Sequence, residues 1–128
     1  MAVHDLHECQ CLGSLFQMKD KAILLIKSLT EAHSVPGYED EVRDIFIGQL
    51  ASAGELSTDR MGGVYCERGH GPKILLAGHM DEVGFRVQNI TPDGFIKFLP
   101  VGGWWAHTLL SQRVKVKTRS GAKVLGVI

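Results

Sequence analysis

His79 and Asp81 lie two positions apart in the stretch Leu75-Leu76-Ala77-Gly78-His79-Met80-Asp81-Glu82-Val83-Gly84-Phe85. In an extended backbone, residues i and i+2 point to the same face, so this pair can share one pocket. A neutral imidazole is a good ligand for zinc or cobalt. A carboxylate beside it can accept the second ring N–H, fixing tautomer and ring orientation. Gly78 would let the backbone approach an ion closely. Glu82 points the other way in such a strand and is an outer neighbour of the pair at best. On spacing alone His-x-Asp is short and common, and its commoner meaning is a satisfied surface histidine beside an acidic turn. A second set, His4, His7, Cys9 and Cys11, has the residue types of a zinc site but not the spacing of a standard finger.

The pair needs an element to hold it. Lys73 to Ala77 reads as a strand, and Ile74-Leu75-Leu76-Ala77 shows no polar alternation, as expected of a strand covered on both faces. Open α/β sheets place active sites at the carboxyl ends of such strands, which is where His79 falls. Upstream, Ile23, Leu25, Ile26 and Leu29 recur at helical spacing between Asp20 and Glu31. His33-Ser34-Val35-Pro36-Gly37 ends that helix. Glu39 to Ala53 forms a second one, with Val42, Ile45, Phe46, Gln49, Leu50 and Ala53 along one face. Its first residues, Glu39-Asp40-Glu41, suit the positive end of the helix dipole. Short strands are expected at Glu55 to Thr58 and Val64 to Glu67, then at Val83 to Ile90, Phe95 to Leu99, Arg113 to Thr118 and Val124 to Ile128. Thr91-Pro92-Asp93-Gly94 and Arg119-Ser120-Gly121 supply the turns. Helices with sheet, followed by a run of strands, argue for two structural units. Residues 1–17 show no periodicity and read as an unstructured tail, and the last strand stops with the chain, as a truncated protein would.

Bulk properties narrow the partners. The 128 residues carry 14 basic and 14 acidic side chains, a balance that gives no electrostatic reason to expect nucleic acid or an anionic membrane. No apolar run approaches the length that spans a bilayer, and the first residues lack a secretory signal's apolar core. Three cysteines make a poor disulfide framework and point to a reducing, cytoplasmic setting. Cys66 reads as a small core residue.

The ordered series Ser34-Val35-Pro36-Gly37-Tyr38-Glu39-Asp40-Glu41-Val42-Arg43, Asp59-Arg60-Met61-Gly62-Gly63-Val64, Gly71 to Phe85 and Pro100-Val101-Gly102-Gly103-Trp104 resembles the N-terminal third of the tetrahedral, or deblocking, aminopeptidases. Members of this family are dinuclear metallopeptidases, some of which have carried glutamyl-aminopeptidase or endoglucanase (cellulase M) labels. The likeness runs from about Met18 to Ile128. It implies an α/β fold class: residues 18–86 would be the N-terminal part of an aminopeptidase-type catalytic domain, two helices plus sheet. Residues 87–128 would open a β-rich, PDZ-like dimerisation domain. It implies that His79 binds one of two divalent metal ions, zinc or cobalt, and that Asp81 steadies it in a catalytic role. It further implies a peptide substrate losing its N-terminal residue, and homo-oligomers of dimers assembling to a dodecamer.

The family's bridging aspartate, glutamate base, other carboxylate ligands and second histidine have no counterpart here. Asp93 in a turn and His107 in a glycine-rich loop do not replace them. At most one partial metal site is expected, and the chain alone is expected to be inactive. The substrate-binding residues are not identified. Gly63 stands where relatives usually carry asparagine, a change expected to do no more than loosen a turn. Two other readings remain open: a non-catalytic remnant that acts as an assembly or binding module, and, more weakly, an endoglucanase. For the latter, no carboxylate pair is placed as acid and nucleophile. Trp104-Trp105 could suggest a sugar platform, but adjacent strand residues face opposite ways, so packing is the better reading. Lys115, Lys117 and Arg119 read as the solvated face of a strand.

Overall fold

A computed structural model describes the backbone of residues 7–128 and the side chains of residues 17–128. Contacts divide the chain into two units, 1–81 and 82–128, described separately below.

The first unit opens with helix α1, His7–Glu31. It starts upstream of the expected Asp20 and takes in residues 7–17, which the sequence presented as a tail. No proline interrupts this stretch, and once a helix is nucleated each further residue adds a hydrogen bond, so apolar periodicity is not needed to extend it. The His4/His7/Cys9/Cys11 set lies outside the residues whose side chains are described.

Helix α2, Asp40–Leu50, carries Asp40 and Glu41 in its first turn. Arg43 pairs with Asp40. Val42 is the one buried apolar side chain among the described residues, and Ile45, Leu50 and Ala53 are half-sheltered on the expected face, while Phe46 and Gln49 are exposed. Between the helices the chain is held by its own polar groups. The His33 N–H donates to the Glu41 carboxylate at 3.1 Å, the Gly37 N–H to the Glu39 carboxylate at 2.8 Å, and the Tyr38 N–H to the Val35 carbonyl at 2.8 Å.

Strands β1, Glu55–Thr58, and β2, Val64–Glu67, fall where expected and pair antiparallel, Leu56 opposite Cys66 and Thr58 opposite Val64. Their turn is built around Asp59. One carboxylate oxygen accepts the N–H groups of Met61 and Gly63, both at 2.8 Å, and the other accepts the Tyr65 hydroxyl at 2.9 Å. A Cβ at Gly63 would stand 2.8 Å from that second oxygen. Gly63 therefore makes room for the carboxylate, and the turn is tied rather than loosened. The Tyr65 hydroxyl, then the Gly63 and other backbone N–H groups, hold the Asp59 carboxyl below the usual carboxylate range. A depressed folded value means that the stabilisation is present above the unfolded value and is lost as pH falls through the folded one. The amide shifts of Met61 and Gly63 should therefore move cooperatively in an NMR titration below about pH 4. Asp59→Asn should remove that step, and a step that persists in the variant would assign it elsewhere.

Residues 73–77 depart from expectation. They form no ladder among the described residues, and Ile74, Leu75 and Leu76 are 90%, 82% and 92% exposed. Their composition is that of a strand covered on both faces, but the described residues bring neither a flanking strand nor a covering helix. Lys73 is tied back to Glu67 at 2.8 Å.

The second unit is two antiparallel hairpins. Strands β3, Gly84–Ile90, and β4, Ile96–Val101, pair from Gly84 opposite Val101 to Ile90 opposite Ile96, with a bulge between Val87 and Asn89. Their turn closes through the Thr91 N–H to the Phe95 carbonyl at 2.8 Å, with Gly94 at φ 86°. Phe85 stacks on Trp104 (4.8 Å between ring centroids, 18° between planes) and meets the edge of Phe98. The Trp104 indole N–H donates to the Gly84 carbonyl at 2.9 Å. Strands β5, Arg113–Lys117, and β6, Lys123–Val127, form the other hairpin. The terminal strand is thus paired on one edge.

Candidate metal-ligand site

His79 and Asp81 lie at the end of the first unit, in backbone without helix or ladder. The structure brings them together. The His79 Nδ1 is 3.0 Å from the Asp81 carbonyl oxygen and 3.1 Å from the Asp81 Oδ1. Both neighbours are acceptors, so a neutral ring must carry its proton on Nδ1 to satisfy them. That tautomer leaves the Nε2 lone pair directed away from the aspartate and available to a ligand. The imidazole is 84% exposed. Hydrogen bonding through one ring nitrogen with the other left open is the arrangement in which a histidine serves a metal.

One nitrogen is a small part of a coordination sphere. Among the described residues no three His, Cys, Asp or Glu side chains converge on a common point. Glu82 is exposed and opens the second unit. Asp93 lies in the β3–β4 turn, and His107 in a single 3-10 turn, Ala106–Thr108, with its ring edge-on to Trp105. Cys66 is half-buried in β2. A Cβ at Gly78 would meet no atom within 4 Å, so the chain itself has no steric need for glycine there. Trp104 packs on Phe85 while Trp105 stays exposed, which gives no joint platform. A shallow concavity lined by Glu55, Glu67, His70 and Lys73 does not include His79.

The sequence offered one relevant side chain without marking its role. Ser34 is 2% exposed, and its hydroxyl donates to the Met80 carbonyl, between His79 and Asp81 in the chain. Its membership of the Ser34-to-Arg43 motif was the available signal, since a polar residue in a loop gives no sign from spacing that it is buried.

No helix among the described residues is long and apolar enough to cross a membrane. Comparison with known proteins places the geometry in context. The sequence profile for M42 glutamyl aminopeptidase matches residues 61–128, and a profile described as AMPT matches residues 20–46. The putative aminopeptidase FrvX of Escherichia coli (strain K12) is 44% identical over 108 residues, which are 83% of this chain and 30% of that protein. The aminopeptidase APDkam598 from the archaeon Desulfurococcus kamchatkensis superposes with a TM-score of 0.80 at 39% identity, covering 86% of this chain and 32% of the other. Pyrococcus horikoshii TET1 peptidase, which can assemble into a tetrahedron or a large octahedral shell, gives a TM-score of 0.77 at 33% identity, over 83% of this chain and 32% of its own. The chain thus spans about a third of the length of the relatives it matches. With its profile match covering more than half of these residues, and with His79 and Asp81 inside the match, the chain belongs to the M42 glutamyl aminopeptidase family.

Proposed function

We propose that this chain is the N-terminal part of a metal-dependent aminopeptidase, in which His79 binds one of two divalent ions through Nε2 and Asp81 orients it. The observation that carries this reading is the contact of the His79 Nδ1 with the carbonyl and carboxylate oxygens of Asp81, which supports a ring whose opposite nitrogen serves as the donor. His79 would hold one of these ions, and the chemistry that such a pair would supply is water activation and polarisation of the scissile carbonyl. The chain's own part is narrower. Asp81 holds the neutral imidazole in one tautomer and limits its rotation, so that Nε2 is the nitrogen presented to an ion. Zinc and cobalt both suit an imidazole donor.

In the same reading residues 18–86 supply part of the catalytic domain, and residues 87–128 open a PDZ-like dimerisation domain that leads to a shell-like homo-oligomer. The TET1 peptidase's tetrahedral assembly supports the oligomer. The relatives described above are named as aminopeptidases or peptidases, which favours peptide bonds over glycosidic bonds or a purely structural role.

A catalytic zinc is held by about three protein ligands and an open position, and the described residues bring one. Purified 1–128 supplied with zinc or cobalt is therefore expected to leave aminoacyl-p-nitroanilides intact. Metal-dependent release of p-nitroaniline, absent with His79→Ala, would overturn that expectation. The enzyme reading itself is tested on the gene: a frame continuing past codon 128 with further carboxylates and a second histidine supports it, and their absence refutes it for this gene product.

A further inference from the structure

The geometry points to Ser34 as a positioning residue for the His79–Asp81 pair. The inference rests on the proposed metal-ligand role of His79. Ser34 lies in the connection between α1 and α2, 46 positions before the carbonyl it bonds. Its hydroxyl donates to the Met80 carbonyl, whose peptide group leads directly into Asp81. Fixing that peptide plane fixes the Asp81 N and Cα, the root from which its carbonyl and carboxylate reach the His79 ring, and these two acceptors set the tautomer and tilt of that ring.

Ser34 can do this because it is itself held. It is 2% exposed, and a buried hydroxyl must keep its partner. On one side the His33 N–H is anchored to the Glu41 carboxylate in the first turn of α2. On the other, the Val35 carbonyl is tied to the Tyr38 N–H, and the Glu39 side chain to the Gly37 N–H. The His79–Asp81 segment has no ladder or helix of its own. Ser34 therefore supplies a long-range support to backbone that has no regular hydrogen bonding.

The test uses the 128-residue chain with ¹⁵N-labelled histidine, with the His79 signals assigned by their loss in His79→Gln. Magic-angle-spinning NMR reads the tautomer whether the chain is monomeric or associated. Wild type should show Nδ1–H at His79. Ser34→Ala should give a mixture of tautomers and weaken Co²⁺ binding by about tenfold, the low end for loss of an outer support. Ser34→Thr, which keeps the hydroxyl, should restore both. If Ser34→Ala loses its folded spectrum, Ser34→Cys preserves side-chain volume with a weaker donor and should give an intermediate tautomer population. An unchanged tautomer in Ser34→Ala, or in Ser34→Cys where that variant is used, would overturn the inference. A locked tautomer that Ser34→Ala releases, in a chain that binds no Co²⁺, would instead sustain the positioning role and remove the metal-ligand reading of His79.

Discussion

His79→Ala should abolish the binding of zinc or cobalt to the first unit, and Asp81→Ala should weaken it by about 10–100-fold. The difference in size follows from the two roles. His79 offers the donor atom itself, whereas Asp81 acts through the ring, as the acceptor that keeps the proton on Nδ1 at 3.1 Å. Asp81→Asn separates charge from geometry. The amide oxygen can still accept the Nδ1–H, but it does so without the carboxylate's charge, so binding should fall between wild type and Asp81→Ala. Isothermal titration calorimetry can measure all three, with Cys9 and Cys11 alkylated so that thiolates of the N-terminal segment do not contribute. Equal affinities for wild type and His79→Ala would remove His79 from any metal site.

Gly102→Ala should be the most disruptive single methyl in the second unit. Gly102 follows β4 at φ 88°, in the left-handed region, and a Cβ there would stand 2.5 Å from the Val83 Cγ1 and 3.1 Å from its Cβ. The backbone conformation costs an L-residue about 1–2 kcal/mol. Forcing a methyl against a branched side chain adds about 1–3 kcal/mol. The damage should spread, because the neighbouring pair Gly84 and Val101 ends the β3–β4 ladder and Gly84 receives the Trp104 indole N–H. Urea unfolding followed by tryptophan fluorescence should show a lower midpoint. Gly103→Ala is the control: a Cβ at Gly103 meets nothing within 4 Å and its φ is not positive, so its midpoint should stay close to wild type. Equal losses in the two variants would show that the Val83 contact is not what requires glycine.

The sequence was informative wherever the deciding interactions are local. α2 was legible because apolar spacing and acidic residues at its start agree. The four hairpin strands of the second unit were legible from β-formers separated by Pro-Asp-Gly and Arg-Ser-Gly turns. The same kind of pattern misled at Ile74–Ala77. Composition there reports the environment that a strand is suited to, whereas pairing depends on partners distant in sequence. The extension of α1 to His7 left no signal because residues 7–17 carry no apolar periodicity in the sequence. In the site, His79 and Asp81 could be read from a two-residue spacing and a family motif. Ser34 could not be assigned a role, since its bond to Met80 joins residues 46 apart. Asp59 was quoted for its motif, but its three-way capture of Met61, Gly63 and Tyr65 depends on turn geometry that no residue count specifies.

Ile74-Leu75-Leu76 also bears on how the protein survives its own synthesis. An exposed apolar segment is the kind of surface that chaperones grip and that neighbouring nascent chains stack upon before folding is complete. The sequence brackets it with gatekeepers. Pro72 has no N–H to offer a foreign ladder, and Lys73 places a charge at its entrance. Gly78 weakens any continuation, and Asp81-Glu82 add two negative charges just beyond. The segment has the composition of the middle of a covered sheet, and its borders carry the residue types that disfavour stacking on copies of itself.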